Sequence, residues 1–196
     1  PGAIMPATPK LDHPSLPILK EALPETRLRA TEFRGQTTVL VDPPGLHDLM
    51  RHLREDPRQG YDLLVDLLGI DYLDYPTEVP GRFAVVYHLA NTSTDQRLTV
   101  RTHVDPSVDT SGNAEDPALE IDSVTDLWPG AEWPEREVYD MFGIRFRNHP
   151  DLRRILLWKD YPGFPLRKDY PLHGRGERER YADLRDDPGH GNKPAE

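Results

Sequence analysis

Two runs near the middle of the chain, RFAVVYHLA (residues 82–90) and RLTVRTHVD (97–105), leave little choice of architecture. In the second, Leu98, Val100, Thr102 and Val104 alternate with polar residues, the two-residue period of a strand with one buried face. The intervening stretch, Asn91 to Gln96, is polar and reads as a hairpin loop. An antiparallel pair that buries one face needs helices or a second sheet to cover it.

The flanking sequence supplies both more strands and helices. A short helix is expected through Leu16, Leu19 and Leu23, bounded by Pro14 and Pro24. TRLRATEFRGQTTVLVD reads as a second hairpin turning at Arg34-Gly35-Gln36. Asp42 then offers an N-cap and Pro43-Pro44 a helix opening, followed by one apolar face at Leu46, Leu49, Met50 and Leu53. YDLLVDLLGIDYLDYP (61–76) is apolar, but its period fits neither strand nor helix cleanly. Residues 105–120 form an acidic loop expected to be mobile. A third helix is expected with Pro134 at its first position, Glu135 and Glu137 in its first turn, and Gly143 as its stop. It carries Val138, Met141 and Phe142 on one face and an Arg136–Asp140 pair on another. The fold class that follows is α+β: a largely antiparallel sheet with two or three helices on one face, plus an extended C-terminal strap and arm. The expected organisation is a lead-in at 1–14, the α+β domain at 15–147, a strap at 148–172 and a flexible polar tail at 173–196.

Composition narrows the function. With 21 prolines and 36% hydrophobic residues in 196, the chain can bury one core, and much of the rest must be loop or arm. A net charge of −10 argues against general nucleic-acid binding, which needs a basic surface. The absence of cysteine excludes disulfides, cysteine-ligated zinc or iron–sulfur clusters and a thiol nucleophile on this chain. No window approaches the roughly 18 apolar residues of a membrane span. PGAIMPATPKLDHPSLP shows no signal or transit pattern.

Motifs for chemistry are missing. Asp62, Asp66, Asp71 and Asp74, or Glu132, Glu135, Glu137 and Asp140, lack the turn-forming glycine spacing of a hard-cation loop. No histidine sits in HExxH, and His88, His103 and His149 read as structural. There is no G-x-S-x-G, P-loop or dinucleotide fingerprint. No catalytic, cofactor-binding or metal residue is therefore expected. Residues 132–169 stand apart: eight Lys/Arg against seven Asp/Glu, interleaved with Trp133, Tyr139, Phe142, Phe146, Trp158, Tyr161 and Phe164. Arginine among aromatics on a proline-stiffened chain is the composition of a protein–protein contact. The competing reading makes the aromatics core and the arginines a solvated rim.

The stretch EREVYDMFGIRFRNHPDLRRILLWKDYPGFPLRKDYPL, residues 135–172, closely resembles the signature of the C-type subunit of the proton-translocating NADH:quinone oxidoreductase, respiratory complex I. SVTDLWPGAEW upstream and the RFAVVYHL strand are similar to that family too, so the resemblance runs from Tyr61 to Leu172. It implies a non-catalytic component of the peripheral arm, with FMN, iron–sulfur clusters and quinone carried by other subunits. Electrons would pass through those neighbours from NADH to quinone, coupled to proton translocation. The implied partners are the D-type subunit, which this chain would support, and the B-type subunit, which with it forms the quinone pocket. The implied location is the cytoplasmic face of a bacterial plasma membrane, peripherally. Expected at the partner contact are Glu135, Arg136, Asp140, His149, Arg153, Arg154, Phe164, Pro165, Arg167, Lys168, Asp169 and Tyr170. Arg167 is expected to face outward and fork onto a partner carboxylate, and Arg153 and Arg154 to follow it if they too face outward. Two alternatives stay open: the same scaffold role in a ferredoxin-fed or membrane-bound hydrogenase complex, and a free-standing metal-dependent hydrolase using the acids of the Pro134 helix.

Overall fold

The computed structural model describes residues 11–108 and 115–174. The expected lead-in before residue 11, the centre of the acidic loop and the polar tail beyond residue 174 lie outside the described residues. Helix α1 (Ser15–Ala22) precedes the hairpin β1 (Leu28–Phe33) and β2 (Gln36–Val41). Arg34 and Gly35 turn it with φ of 53° and 79°, the left-handed pair that matches the twist of a two-residue hairpin loop. A 3-10 turn at Pro43–Gly45 leads into α2 (Leu46–Glu55). Then come β3 (Leu63–Asp71), β4 (Phe83–Asn91) and β5 (Gln96–Val104). The order in the sheet is β1-β2-β5-β4-β3, antiparallel except where β2 runs parallel to β5.

Registry puts Val39, Val100, Tyr87 and Leu67 in one row across the sheet. The face carrying this row merges with Leu46, Leu49, Met50 and Leu53 of α2 into a single core. Its other face has no helix over it among the described residues. β3 explains its own ambiguous sequence. It is an edge strand, its register slips between Leu64 and Asp66, and Leu63 and Val65 are 45% and 57% exposed. A bulge inserts one residue and breaks the alternation that would have marked a strand.

The C-terminal half adds β6 (Glu120–Asp122), a 3-10 turn at Pro129–Ala131, α3 (Glu132–Phe142) and β7 (Arg145–Arg147), with β6 and β7 paired in parallel. Val138, Met141 and Phe142 of α3 join the same core. α3 begins two residues before the expected start. Pro134 is the third helical residue, and its missing N–H falls among the first-turn donors that have no intrahelical acceptor anyway. Gly143 ends the helix at φ 74°. The strap, 148–172, and the two tail residues described after it contain no helix or strand, and the strap folds back on the chain through successive turns at Trp158–Tyr161, Phe164–Arg167 and Arg167–Tyr170.

Candidate functional site

α3 carries the residues that hold the strap. Asp140, fully buried, collects the segment that follows the His149 turn. Its Oδ2 accepts the backbone N–H groups of Ile155, Leu156 and Leu157 at 3.0, 2.8 and 2.9 Å. Its Oδ1 accepts Arg154 Nη1 at 2.7 Å. Arg154 also donates to the carbonyls of Tyr161 and Gly163, at 2.9 and 3.1 Å. Arg136 does not pair with Asp140. It spans the gap instead and donates to the carbonyls of Arg153 and Arg154.

Arg167 closes the far end. Its side chain is among the largest fully buried ones, 2% exposed, and Nε donates to the Phe142 carbonyl at 2.6 Å. The guanidinium lies 4.5 Å from the Phe164 ring centroid and 5.4 Å from that of Phe83. Burial pushes its pKa down to about 10, which leaves it a cation at neutral pH. A Cβ on Gly143 would sit 2.5 Å from Arg167 Nη2 and 2.8 Å from Phe164, so only glycine fits there. Beside it, Arg82 donates to both oxygens of Asp71 and meets Asp169 at 3.0 Å. Asp71 also accepts the Lys168 backbone N–H at 2.8 Å, tying the strap to the end of β3.

At the N-terminal end of α3, Glu135 is fully buried. It accepts Ser123 Oγ at 2.6 Å and the Val124 backbone N–H at 2.8 Å. His149 Nε2 lies 4.0 Å from it but donates to the Glu132 carbonyl at 2.9 Å, while its Nδ1 accepts the Asp151 N–H. Burial raises the Glu135 pKa to about 7, outweighing the two hydrogen bonds that favour the charge; nearby Asp126 adds to the rise. The folded state therefore binds this proton more tightly than the unfolded one. The stabilisation is fully present below the unfolded pKa of about 4.3 and is lost as pH rises to about 7, roughly 3 kcal/mol in all. His13 and His103, whose pKa values burial lowers, work in the opposite sense below about pH 6.5. Glu135→Gln isolates the acid: in urea titrations the wild type should lose stability between about pH 4.5 and 7, and the variant should flatten that fall and unfold later than wild type at pH 8. An unchanged slope would contradict the assignment.

The expected contact residues thus divide. Glu135, Arg136, Asp140 and Arg167 are buried inside the chain, and Arg154 is mostly so, because each bonds backbone or side-chain groups of the fold itself; Phe164 is buried with its ring against Arg167 and Tyr139. The expectation that Arg167 faces outward is corrected on that ground, and the condition set for Arg154, that it too face outward, is not met. His149 is internal as well. Arg153 is exposed and, among the described residues, pairs with Asp151. Lys168 is exposed, with Nζ on the Leu73 carbonyl; Pro165, Asp169 and Tyr170 are half-buried, Tyr170 bonding Tyr161 at 2.8 Å.

What the same segment does turn outward is apolar. Trp133 is 67%, Leu156 62% and Leu166 53% exposed. With Leu67 and Gly69 of β3 and Val138, Met141 and Phe142 of α3 they line a groove of about 570 Å³. No three His, Cys, Asp or Glu residues converge as a metal site among the described residues. The missed signal was in plain sight: Trp133 stands four before Glu137, on the polar side of α3 and off its apolar stripe.

Residues 39–176 match the family described as respiratory-chain NADH dehydrogenase, 30 Kd subunit. The C-type subunit of NADH-quinone oxidoreductase from Citrifermentans bemidjiense is 44% identical over 83% of this chain and 91% of its own length. The protein of the same name from Roseiflexus castenholzii is 43% identical, covering 83% and 86%. Among solved structures, the trypsin-resistant fragment (1–134) of Nqo5 superposes with a TM-score of 0.55 at 34% identity, over 69% of this chain and 97% of that one. One polypeptide of an archaeal membrane-bound sulfane sulfur reductase shares the fold, with TM-score 0.60, 21% identity and coverage of 93% and 94%.

Proposed function

The chain belongs to the family of the 30 Kd subunit of respiratory-chain NADH dehydrogenase, and we propose that it is a non-catalytic scaffold of the peripheral arm that supports the D-type subunit beside the quinone module. One observation carries this reading. The charged groups that an active site would use, Glu135, Asp140, Arg154 and Arg167, are spent on the chain's own backbone, while Trp133, Leu156 and Leu166 stand uncovered. Exposed tryptophan and leucine around an apolar groove are the elements of a contact, not of acid–base chemistry. FMN, the clusters and quinone belong in this reading to neighbouring subunits, with electrons passing from NADH to quinone and driving proton translocation. Among the described residues no helix is long and apolar enough to cross a membrane; in this reading the chain is held at the cytoplasmic face of the bacterial membrane by those partners.

The test is retrieval of an affinity-tagged chain from detergent-solubilised membranes of its own host. The expected result is a multi-component assembly containing D- and B-type chains that reduces quinone with NADH, while the isolated chain oxidises no NADH. Reduction driven by ferredoxin but not NADH would move the chain to the related ferredoxin-fed complexes. Turnover by the isolated chain would end the scaffold reading.

A further inference from the structure

The groove between α3 and β3 has features that select among occupants. β3 is an edge of the five-stranded sheet, and among the described residues no backbone group outside β4 bonds to Leu63–Ile70. The carboxylate of Asp66 takes the N–H of Leu67 at 2.8 Å; among the described residues the edge at Leu68–Ile70 has no such cover before the strap reaches Asp71. An open edge is a template for another strand, and proteins that stay monomeric usually block it with lysine, proline or a covering loop. Here the bulged end presents Leu63 and Val65 instead. The groove beside it is floored by Leu67, Val138, Met141 and Phe142 and walled by Trp133, Leu156 and Leu166.

Its charge is one-sided. The ionisable side chains lining it are Asp66 and Glu137, both exposed, and no basic residue lines it. Neither carboxylate forms an ion pair among the described residues, in a region where Arg136, Arg154 and Arg167 are all turned inward. We infer that the groove receives an extended segment of another polypeptide, which adds to the β3 edge, inserts an apolar side chain beside Trp133 and brings a lysine or arginine to Asp66 and Glu137. The inference rests on the scaffold reading and names the kind of chain that the scaffold grips.

The experiment places a photo-crosslinking benzoyl-phenylalanine at Trp133 in the tagged chain within its assembled complex. The crosslinked peptide should come from a different polypeptide and carry Lys or Arg within a few residues of the attachment point. Backbone amides of 64–69 should exchange at least about tenfold more slowly in the complex than in the isolated chain, as added ladder bonds require. The double variant Asp66→Lys, Glu137→Lys should reduce recovered complex by about tenfold while the isolated chain still folds and melts close to the wild type, since both carboxylates are exposed, neither forms an ion pair among the described residues, and only the Asp66 bond to the Leu67 N–H is lost. Crosslinks to lipid or to a second copy of this chain, unaltered exchange in β3, or normal assembly of the double variant would each overturn the inference and leave the scaffold reading standing. A tagged chain that retrieves no other polypeptide overturns both.

Discussion

Asp140→Ala should destabilise the isolated chain by about 3–5 kcal/mol, the usual cost of removing one member of a buried, hydrogen-bonded ion pair. The carboxylate takes the three consecutive N–H groups of Ile155, Leu156 and Leu157, and it neutralises Arg154 as well. Alanine would leave three amides and a guanidinium without their acceptor in a region that water reaches poorly. Asp140→Asn should cost less than alanine, because the amide oxygen still accepts backbone N–H groups, but its NH₂ would face Arg154. Burial alone would push the Asp140 pKa up; the three backbone donors and Arg154 outweigh it and hold the carboxyl below its usual range. With the folded pKa depressed, its stabilisation is complete above about pH 4 and is lost as pH falls through the folded value. Both substitutions should therefore remove part of the acid limb of the stability curve. Trypsin should also cut faster after Arg153, Arg154 or Lys159 in the alanine variant, since the clip holds this stretch against α3. Urea midpoints and cutting rates equal to the wild type would show that the strap is held by something other than Asp140.

The same residue shows where sequence reading reaches and where it stops. The central strands β4 and β5 are legible because a period of two needs only local information, and α2 because its apolar positions fall three and four apart. β3 is not, since its bulge at Val65 and its exposed edge are set by pairing with β4. β6 is three residues long and exists only because β7 lies beside it. In the site, the region 132–172 is visible from its interleaved arginines and aromatics and from its resemblance to a known signature. Its orientation is not. Whether Asp140 turns toward Arg136, four residues away, or toward Arg154 and the backbone of 155–157 depends on how the strap returns, which no local pattern encodes. Gly143 is readable as a helix stop, yet its second task, leaving room for Arg167 and Phe164, appears only when residues more than twenty positions apart are brought together. In this chain the signature stretch is internal architecture as much as surface: Arg136, Asp140, Arg154 and Arg167 build the platform, and in the scaffold reading proposed above its exposed apolar residues are left for a partner.

Arg167 gives the sharpest separation of those two roles. As a contact residue on a free strap, its truncation would spare the isolated chain and damage only assembly. Its position in the fold requires the reverse order. Arg167→Ala removes a fully buried side chain, the charged donor on the Phe142 carbonyl at the end of α3, and the cation held between Phe164 and Phe83. A charge-assisted hydrogen bond contributes about 1.5–3 kcal/mol, and a desolvated cation–π contact about 2. The cavity left behind adds to the loss, so about 3–5 kcal/mol is expected in chemical denaturation of the isolated chain. Arg167→Lys should recover only part of this, because an ammonium can reach the carbonyl but cannot stack as a plane between rings. Gly143→Ala approaches the same packing from the other side. A Cβ at φ 74° would meet Arg167 Nη2 at 2.5 Å, so this substitution should destabilise by at least about 1 kcal/mol from backbone strain before any clash is counted. Combined with Arg167→Ala, part of the clash is relieved, and the two effects should sum to less than their separate values. Assembly of the Arg167→Ala chain should fall in step with its stability and recover at low temperature. An isolated Arg167→Ala chain that unfolds like the wild type but fails to assemble would place the guanidinium at a partner after all.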